Sequence, residues 1–185
     1  MCVYATAILM KQDKQRVLEI ISTLTSVDGR IEFYRNVNGT TAIIDYAHTP
    51  DALENVLTTI QKFCTKANKI ITVVGAGGDR DTTKRPLMGG ICAKLSDTVI
   101  LTSDNPRSED ATKIAEQMLA GVKEDDKSKV ITIIDRKQAI KTATMLASEK
   151  DIILIAGKGH ETYQEIQGIK HHFDDKEIIK ELFNI

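Results

Sequence analysis

The stretch "LTSDNPRSEDA", residues 101–111, places an acid, an amide and a guanidinium side by side. Asp104, Asn105, Pro106 and Arg107 directly follow a short run of β-forming residues, and a helical pattern begins after them. A carboxylate suits an ammonium group, and a guanidinium can bind a carboxylate through two parallel hydrogen bonds. One interpretation is therefore a site for a zwitterion. The other is a plain turn, because Asp, Asn and Pro favour turns for local backbone reasons.

Three further polar segments follow other β-like runs, namely "DYAHTPD", "GAGGDRDTTKRP" and "AGKGHE". Their candidate binding residues are Asp45, His48, Arg80, Lys84, Arg85, Gly157 and Glu161. In an open α/β sheet, ligands bind beyond the carboxyl ends of the strands. Four polar segments at one edge are harder to explain as turns than a single one is. The pattern therefore favours a binding site at this edge.

The glycine-rich segment "GAGGDRDTTKRP" invites comparison with phosphate-binding loops, in which clustered glycines let backbone N–H groups approach an anion. The Walker spacing is absent, and Arg80 stands where the third glycine of the dinucleotide pattern should fall. The segment does not predict a self-sufficient nucleotide site. Arg80, Lys84 and Arg85 could bind a carboxylate or phosphate, and a solvated loop is the alternative.

The remaining segments leave several roles open. Asp45 could bind ribose hydroxyls or cap a helix, whereas a lone histidine such as His48 is more often structural than catalytic. Glu161 offers a carboxylate to a cationic group, and the glycines flanking Lys158 permit close backbone approach. Neighbouring residues of "HHFDD", 171–175, would face opposite sides of a strand, so no metal site is predicted there. No Ser-His-Asp or Cys-His nucleophile pattern is present.

The elements that must position these residues alternate along the chain. Nearly unbroken apolar runs predict strands covered on both faces at 40–45, 69–75, 97–102, 129–134 and 151–157. Helical patterns lie between them at 50–65, 84–95, 110–122 and 136–148. This alternation predicts a Rossmann-like α/β fold with a doubly wound, mostly parallel sheet flanked by helices. A small antiparallel addition around Gly168 and a helix capped by Asp174 are expected at the C-terminus.

The first thirty residues behave differently. Residues 1–10 and 16–24 read as two short helices, and a strand is expected near Ile31. We expect residues 1–26 to be the helical remnant of a preceding domain, with apolar surface exposed, and residues 27–185 to form the α/β domain. A simple N-terminal helical cap is the alternative.

The composition excludes several classes of protein. With 42% hydrophobic and 28% charged residues among 185, the chain has the composition of a globular protein. A net charge of −1 gives no general basic field for nucleic acid or an anionic membrane. No apolar run is long enough to span a bilayer, and the start lacks a signal-peptide pattern. Three cysteines without metal-type spacing predict a cytoplasmic protein with reduced thiols.

The segments "DGRIE", "DYAHTPDALENVL", "GAGGDRDTTKRPLMG", "SDNPRSED" and "AGKGHETYQ", in this order, resemble the C-terminal domain of the Mur ligases. Within the family they are most similar to the branch that adds meso-diaminopimelate to UDP-MurNAc-L-Ala-D-Glu during peptidoglycan synthesis. The resemblance runs from Val27 to the end, and residues 1–26 resemble the last helices of the central domain. It implies ATP-driven amide formation, in which a substrate carboxylate becomes an acyl phosphate that an amine then attacks.

The resemblance also implies roles for single residues. The residues that correspond to meso-diaminopimelate contacts are Arg80, Asp104, Asn105, Pro106, Arg107, Gly157 and Glu161. Lysine-adding relatives depart from "DNPR" at the arginine, and lysine lacks the distal carboxylate that a guanidinium could hold. Arg30 and Asp45 correspond to ATP contacts near the phosphates and the ribose, and His48 lies nearby.

The family's phosphate loop, Mg²⁺ ligands and modified lysine belong to its central domain, and no such segment occurs in this sequence. We therefore expect no catalytic residue and no metal ligand in this chain, and no activity from it alone. ATP and Mg²⁺ would be bound mainly by the central domain. A free-standing, non-catalytic amino-acid-binding module is the alternative. A folylpolyglutamate synthetase shares the domain plan, but "DNPR" together with "GKGHE" argues against it.

Overall fold

The computed structural model describes residues 2–23, 29–65 and 68–185. Within these residues, six strands form one sheet. The strands do not lie in the sheet in the order in which they occur along the chain. The strands are β1 (Glu32–Arg35), β2 (Thr41–Asp45), β3 (Ile70–Val74), β4 (Thr98–Leu101), β5 (Val130–Thr132) and β6 (Ile152–Ala156). Their order is β1-β2-β6-β3-β4-β5, with β1 antiparallel to β2 and all other pairs parallel.

Helices connect the parallel strands, and a small hairpin follows the last of them. The helices are α1 (Cys2–Leu9), α2 (Lys14–Ser22), α3 (Pro50–Phe63), α4 (Lys84–Leu95), α5 (Ala111–Leu119), α6 (Arg136–Leu146) and α7 (Asp175–Phe183), with a 3-10 helix at Glu124–Lys129. The hairpin consists of β7 (Tyr163–Ile166) and β8 (Ile169–His172), which pair antiparallel. The predicted fold class, including the small antiparallel addition, is confirmed.

Two apolar layers enclose the sheet, which explains why its strands read as unbroken apolar runs. On β6, Leu154 packs with the residues of α3, α4 and α5, whereas Ile153 and Ile155 pack with α6 and α7. Successive residues of a strand point to opposite faces, so a sheet covered on both sides requires apolar residues at every position.

Side-chain caps start several of the helices. The side chain of Thr49 accepts a hydrogen bond from the Ala52 amide at the start of α3. The carboxylate of Asp174 accepts one from the Lys176 amide at the start of α7, which confirms the predicted cap. Such caps satisfy backbone donors that have no partner inside the helix. The predicted helices and strands are present, with ends that differ by up to three residues.

The two predicted N-terminal helices are present as α1 and α2. Large apolar side chains on them and on the turn between them are exposed, including Val3, Leu9, Leu18 and Ile20. Met1, residues 24–26 and the predicted boundary at residue 27 lie outside the described residues. The assignment of these helices to a preceding domain stays a prediction. Among the helices in the described residues, none has the length and apolar character that a bilayer span requires.

A buried ion pair joins α6, α7 and the carboxyl end of β6. The Nε and Nη2 atoms of Arg136 donate to the two carboxylate oxygens of Asp175 at 2.9 and 2.7 Å, and both side chains are 0% exposed. Nη2 also donates to the carbonyl oxygen of Ala156 at 3.1 Å. The pair therefore fixes the last residue of the central strand relative to both helices on one face.

We predict that Asp175→Ala destabilises the fold strongly. Removing one member of a buried pair leaves the other charge without a partner, which costs about 3–5 kcal/mol. The free energy of unfolding, measured by urea denaturation, checks this.

Glu181→Ala is a matched control on the same two helices. Glu181 pairs with Lys137 at 3.0 Å, but these side chains are 65% and 52% exposed. Exposed pairs contribute about 0–1 kcal/mol, so this variant should remain close to the unsubstituted chain. Equal losses for the two variants would contradict the structural role of the Arg136–Asp175 pair.

Candidate functional site

The four polar segments meet at the carboxyl edge of the sheet. They follow β2, β6, β3 and β4, which are adjacent in the sheet order. A pocket of about 320 Å³ lies among them. The predicted binding residues in its wall are His48, Arg80, Lys84, Arg85, Asp104, Asn105, Arg107, Gly157 and Glu161. Pro106, Arg30 and Asp45 do not line it, and Pro106 is buried behind the wall.

Charges of both signs line the pocket. Cations come from Arg80, Lys84 and Arg107, and carboxylates from Asp104 and Glu161, with Asp81 at the wall as well. Within the described residues, the exposed Arg80 guanidinium has no hydrogen-bond or ion-pair partner. A wall of this composition suits a ligand that carries both ammonium and carboxylate groups.

Asn105 connects three of the segments. Its Nδ2 donates to Glu161 Oε2 at 2.8 Å, and its Oδ1 accepts from the Glu165 amide at 2.9 Å. Its carbonyl oxygen accepts from the Gly78 amide at 2.9 Å. With both ends of the amide engaged, Asn105 holds Glu161 in place at the wall. Its predicted contact with a ligand stays a prediction.

Asp104 is a buried carboxylate between cations. Burial raises its pKa, and Lys158 and Arg136 act in the opposite direction. Gly157 has a φ of +117°, and a Cβ atom there would lie 2.6 Å from Asp104 Oδ2. Only glycine therefore allows the loop after β6 to pass so close to this carboxylate.

Arg107 sits in a turn and is held at several points. Its φ is +52°, and its backbone pairs with the hairpin through Glu165 and Gln167 at 3.0 and 2.7 Å. Nη1 donates to the carbonyl of Gly78 at 2.8 Å, and Nε lies 3.6 Å from a carboxylate oxygen of Glu165. In the part of the chain that the structure describes, Nη2 has no protein partner. The segment is thus a turn that also presents a guanidinium edge to the pocket.

The glycines after β3 serve the packing of two loops. A Cβ atom at Gly78 would lie 1.9 Å from the carbonyl oxygen of Pro106, so only glycine lets these loops touch. This contact places the Arg80 loop directly beside the segment 104–107. Close packing of the loops explains the glycine at 78 without a bound phosphate.

Arg85 forms hydrogen bonds within the chain. Its buried guanidinium donates to both carboxylate oxygens of Glu109 at 2.7 and 2.8 Å and to Gln117 at 2.6 Å. The hydrogen bonds from Arg85 lower the pKa of Glu109 to about 2. Two of its three guanidinium nitrogens are thus engaged within the chain, and the prediction that Arg85 could bind an external carboxylate or phosphate stays a prediction. Its partner lies 24 residues away, beyond the reach of a local pattern.

Sequence reasoning also missed the role of Lys158. The side chain is fully buried, and burial lowers its pKa. Its Nζ lies 3.1 Å from Asn105 Oδ1, 3.6 Å from Glu161 Oε2 and 4.0 Å from Asp104 Oδ1. The only sequence signal was its position between two glycines in "AGKGHE". The residues around Lys158 form no apolar pattern from which a buried side chain could be predicted.

Of the residues predicted to contact ATP, His48 is in the pocket wall, whereas Arg30 and Asp45 lie beside the pocket. The exposed Arg30 guanidinium stands 4.9 Å from the ring of Tyr46, which also contacts the His48 and His160 rings. The two carboxylate oxygens of Asp45 accept from the amides of Ile31 and Ala47 at 2.9 and 2.8 Å. Asp45 therefore holds the Arg30 loop against the end of β2.

His48 donates from Nδ1 to the Tyr46 carbonyl at 2.7 Å, because a carbonyl can only accept. Its ring is exposed and stays next to Tyr46. Within the described residues, no group of three or more His, Cys, Asp or Glu side chains is arranged to hold a metal ion.

Comparisons with known proteins bear on the family of the chain. A UDP-N-acetylmuramoyl-L-alanyl-D-glutamate–2,6-diaminopimelate ligase of Phocaeicola vulgatus is 56% identical over 99% of this chain. The chain spans 38% of the length of that relative. A solved structure of a ligase with the same name has a TM-score of 0.78 at 38% identity, covering 98% of this chain and 36% of that one.

More distant structures share the fold alone. Folylpolyglutamate synthase of Mycobacterium tuberculosis, solved with ADP and AMPPCP, has a TM-score of 0.58 at 23% identity. The matched region covers 78% of this chain and 32% of the synthase chain. The model of the family "Mur ligase, glutamate ligase domain" matches residues 29–159, more than half of the chain. The chain therefore belongs to the Mur ligase family.

Proposed function

We propose that this domain binds meso-diaminopimelate for an ATP-dependent ligase that joins it to UDP-MurNAc-L-Ala-D-Glu. The observation that carries the proposal is the pocket in which Asp104 and Glu161 face the same space as Arg80 and Arg107. The names of the similar ligases support the choice of substrate.

The chemistry of the ligand matches the wall. Diaminopimelate has an amino-acid centre at each end, and the distal centre bears a carboxylate that lysine lacks. Arg107 offers a guanidinium edge for that carboxylate, and Arg80 offers a second guanidinium. Asp104 and Glu161 accept hydrogen bonds from an ammonium group. Asn105, Pro106 and Gly157 give the wall its shape, so these residues together orient the amino acid whose amine forms the new bond.

We place the ATP contacts at His48 in the pocket wall and at Arg30 beside the pocket. The exposed Arg30 guanidinium suits a phosphate group, and the exposed His48 ring lies next to it on Tyr46. Asp45 acts through the loop that carries Arg30, because both of its carboxylate oxygens already accept backbone hydrogen bonds. ATP supplies the phosphoryl group that activates a carboxylate. We assign its main binding, and that of Mg²⁺, to the part of the longer relatives outside the matched region.

The remaining assignments follow from the same proposal. Residues 1–26 correspond to the last helices of the central domain, and residues 27–185 to the amino-acid-binding domain. The partners are meso-diaminopimelate, ATP and the UDP-MurNAc dipeptide, with no role for nucleic acid or membrane. Because ATP and nucleotide-linked precursors are cytoplasmic compounds, we place the reaction in the cytoplasm.

Binding by the purified chain tests the proposal. We predict that meso-diaminopimelate binds more tightly than L-lysine by about ten- to hundredfold, the equivalent of one charged hydrogen bond to the distal carboxylate. Titration calorimetry with both amino acids measures the ratio. If L-lysine binds as tightly as meso-diaminopimelate, the substrate assignment is wrong.

We predict that Arg107→Ala removes most of this preference. The affinity for meso-diaminopimelate should fall by about ten- to hundredfold, because a charged hydrogen bond is lost. The affinity for L-lysine should change much less, since lysine has no distal carboxylate. Arg35→Ala, an exposed arginine on β1, is the control and should leave both affinities unchanged. Equal losses for the two amino acids would show that Arg107 does not recognise the carboxylate.

We predict that Asp45→Ala releases the Arg30 loop. The amides of Ile31 and Ala47 lose their acceptor, and hydrogen exchange at both should become faster by about tenfold or more. Asp51→Ala replaces an exposed acid in the first turn of α3 and serves as control. Unchanged protection of both amides in Asp45→Ala would remove Asp45 from this positioning role.

A further inference from the structure

Lys158 lies behind the pocket wall and does not form part of it. Its side chain is 0% exposed, whereas Asp104, Asn105 and Glu161, the groups nearest its Nζ, all line the pocket. The ammonium is thus placed to act on a ligand only through these three side chains.

The first effect of Lys158 is on the orientation of the Asn105 amide. Asn105 Oδ1 receives hydrogen bonds from Lys158 Nζ at 3.1 Å and from the Glu165 amide at 2.9 Å. Both groups can only donate, so the oxygen end of the amide must face them. Nδ2 is therefore directed to Glu161, where it donates to Oε2 at 2.8 Å. This fixes the carboxylate at the wall.

The second effect is on charge. The charged groups around Asp104 are Lys158 and Glu161 on the loop after β6, Arg136 on α6 and Asp175 on α7. Arg136 is bonded to both oxygens of Asp175. Among the residues that the structure describes, Lys158 is the cation within 4.0 Å of both Asp104 and Glu161. Without it, one cation fewer would oppose the effects of burial and of Glu161 on Asp104, and the pKa of Asp104 would rise further.

We propose that Lys158 is a positioning residue of the amino-acid pocket: it orients the Asn105 amide and sets its ammonium within 4.0 Å of the carboxylates of Asp104 and Glu161, so that both stay available to an ammonium group of the ligand. This inference rests on the proposed function. It adds a buried residue, outside the wall, on which ligand affinity and its pH dependence depend.

Three variants test the inference. Lys158→Met removes the charge, Lys158→Arg keeps it, and Lys137→Met makes the same replacement at an exposed lysine of α6. The affinity of each for meso-diaminopimelate is measured by calorimetry between pH 5 and pH 9. The melting temperature is recorded at each pH.

Lys158→Met should weaken binding by about tenfold at pH 7, because the Asn105 amide loses a donor that fixes it. The pH below which binding is lost should also rise. An ammonium ligand needs the ionised carboxylate, so binding is lost as the pH falls through the pKa of Asp104. Burial already raises this pKa, and loss of the Lys158 cation raises it further. Lys158→Arg and Lys137→Met should keep the original pH limit.

Each result has a distinct consequence. Absence of meso-diaminopimelate binding by the unsubstituted chain overturns the proposed function, and this inference falls with it. Unchanged affinity of Lys158→Met, or a loss that is equal at every pH, overturns the inference alone. If Lys158→Met does not fold, Lys158→Gln supplies the test. Its side-chain amide can still donate to Asn105 Oδ1 but lacks the charge that lowers the pKa of Asp104, so the pH limit of binding should rise. An unmoved limit overturns the inference.

Discussion

The position of β6 in the sheet is the constraint on which the site depends. This strand comes last among the parallel strands along the chain, yet it lies between β2 and β3. Its loop, with Gly157, Lys158 and Glu161, is therefore inserted between the Asp45 segment and the Asp104 segment. From this position Lys158 Nζ lies 3.1 Å from Asn105 Oδ1, and the carboxylate of Glu161 lines the same pocket as that of Asp104.

The sequence allowed the strands, the helices and the edge that carries the site to be predicted, because apolar coverage and capping leave local patterns. The strand order left no such pattern. The sequence also did not show which distant residues form ion pairs, because Arg85 contacts Glu109, and Arg136 contacts Asp175, only in the folded chain. Both arginines form buried pairs in the structure, whereas the sequence indicated Arg85 only as a candidate anion-binding residue and gave no signal for Arg136.

The buried charged residues fall into two groups with different roles. Arg136 donates to both carboxylate oxygens of Asp175, and their pair holds the end of β6 against two helices. Lys158, Asp104 and Glu161 are linked more loosely, at 3.6 and 4.0 Å, and two of the three reach the pocket. Buried charges carry a large desolvation cost, which a tight pair offsets and a loose cluster offsets less well. A loose cluster of this kind is suited to completion by a charged ligand.

The loop after β6 also joins the pocket to the residues proposed for ATP. The Gly157 amide donates to the carbonyl oxygen of Asp45 at 3.1 Å, and Asp45 in turn holds the loop of Arg30. One residue further on, Lys158 holds Asn105 and the pocket carboxylates. On the other side, the ring of His160 contacts Tyr46, over which Arg30 lies. Four consecutive residues, 157–160, thus contact both parts of the site, so a shift of this loop would change the two together.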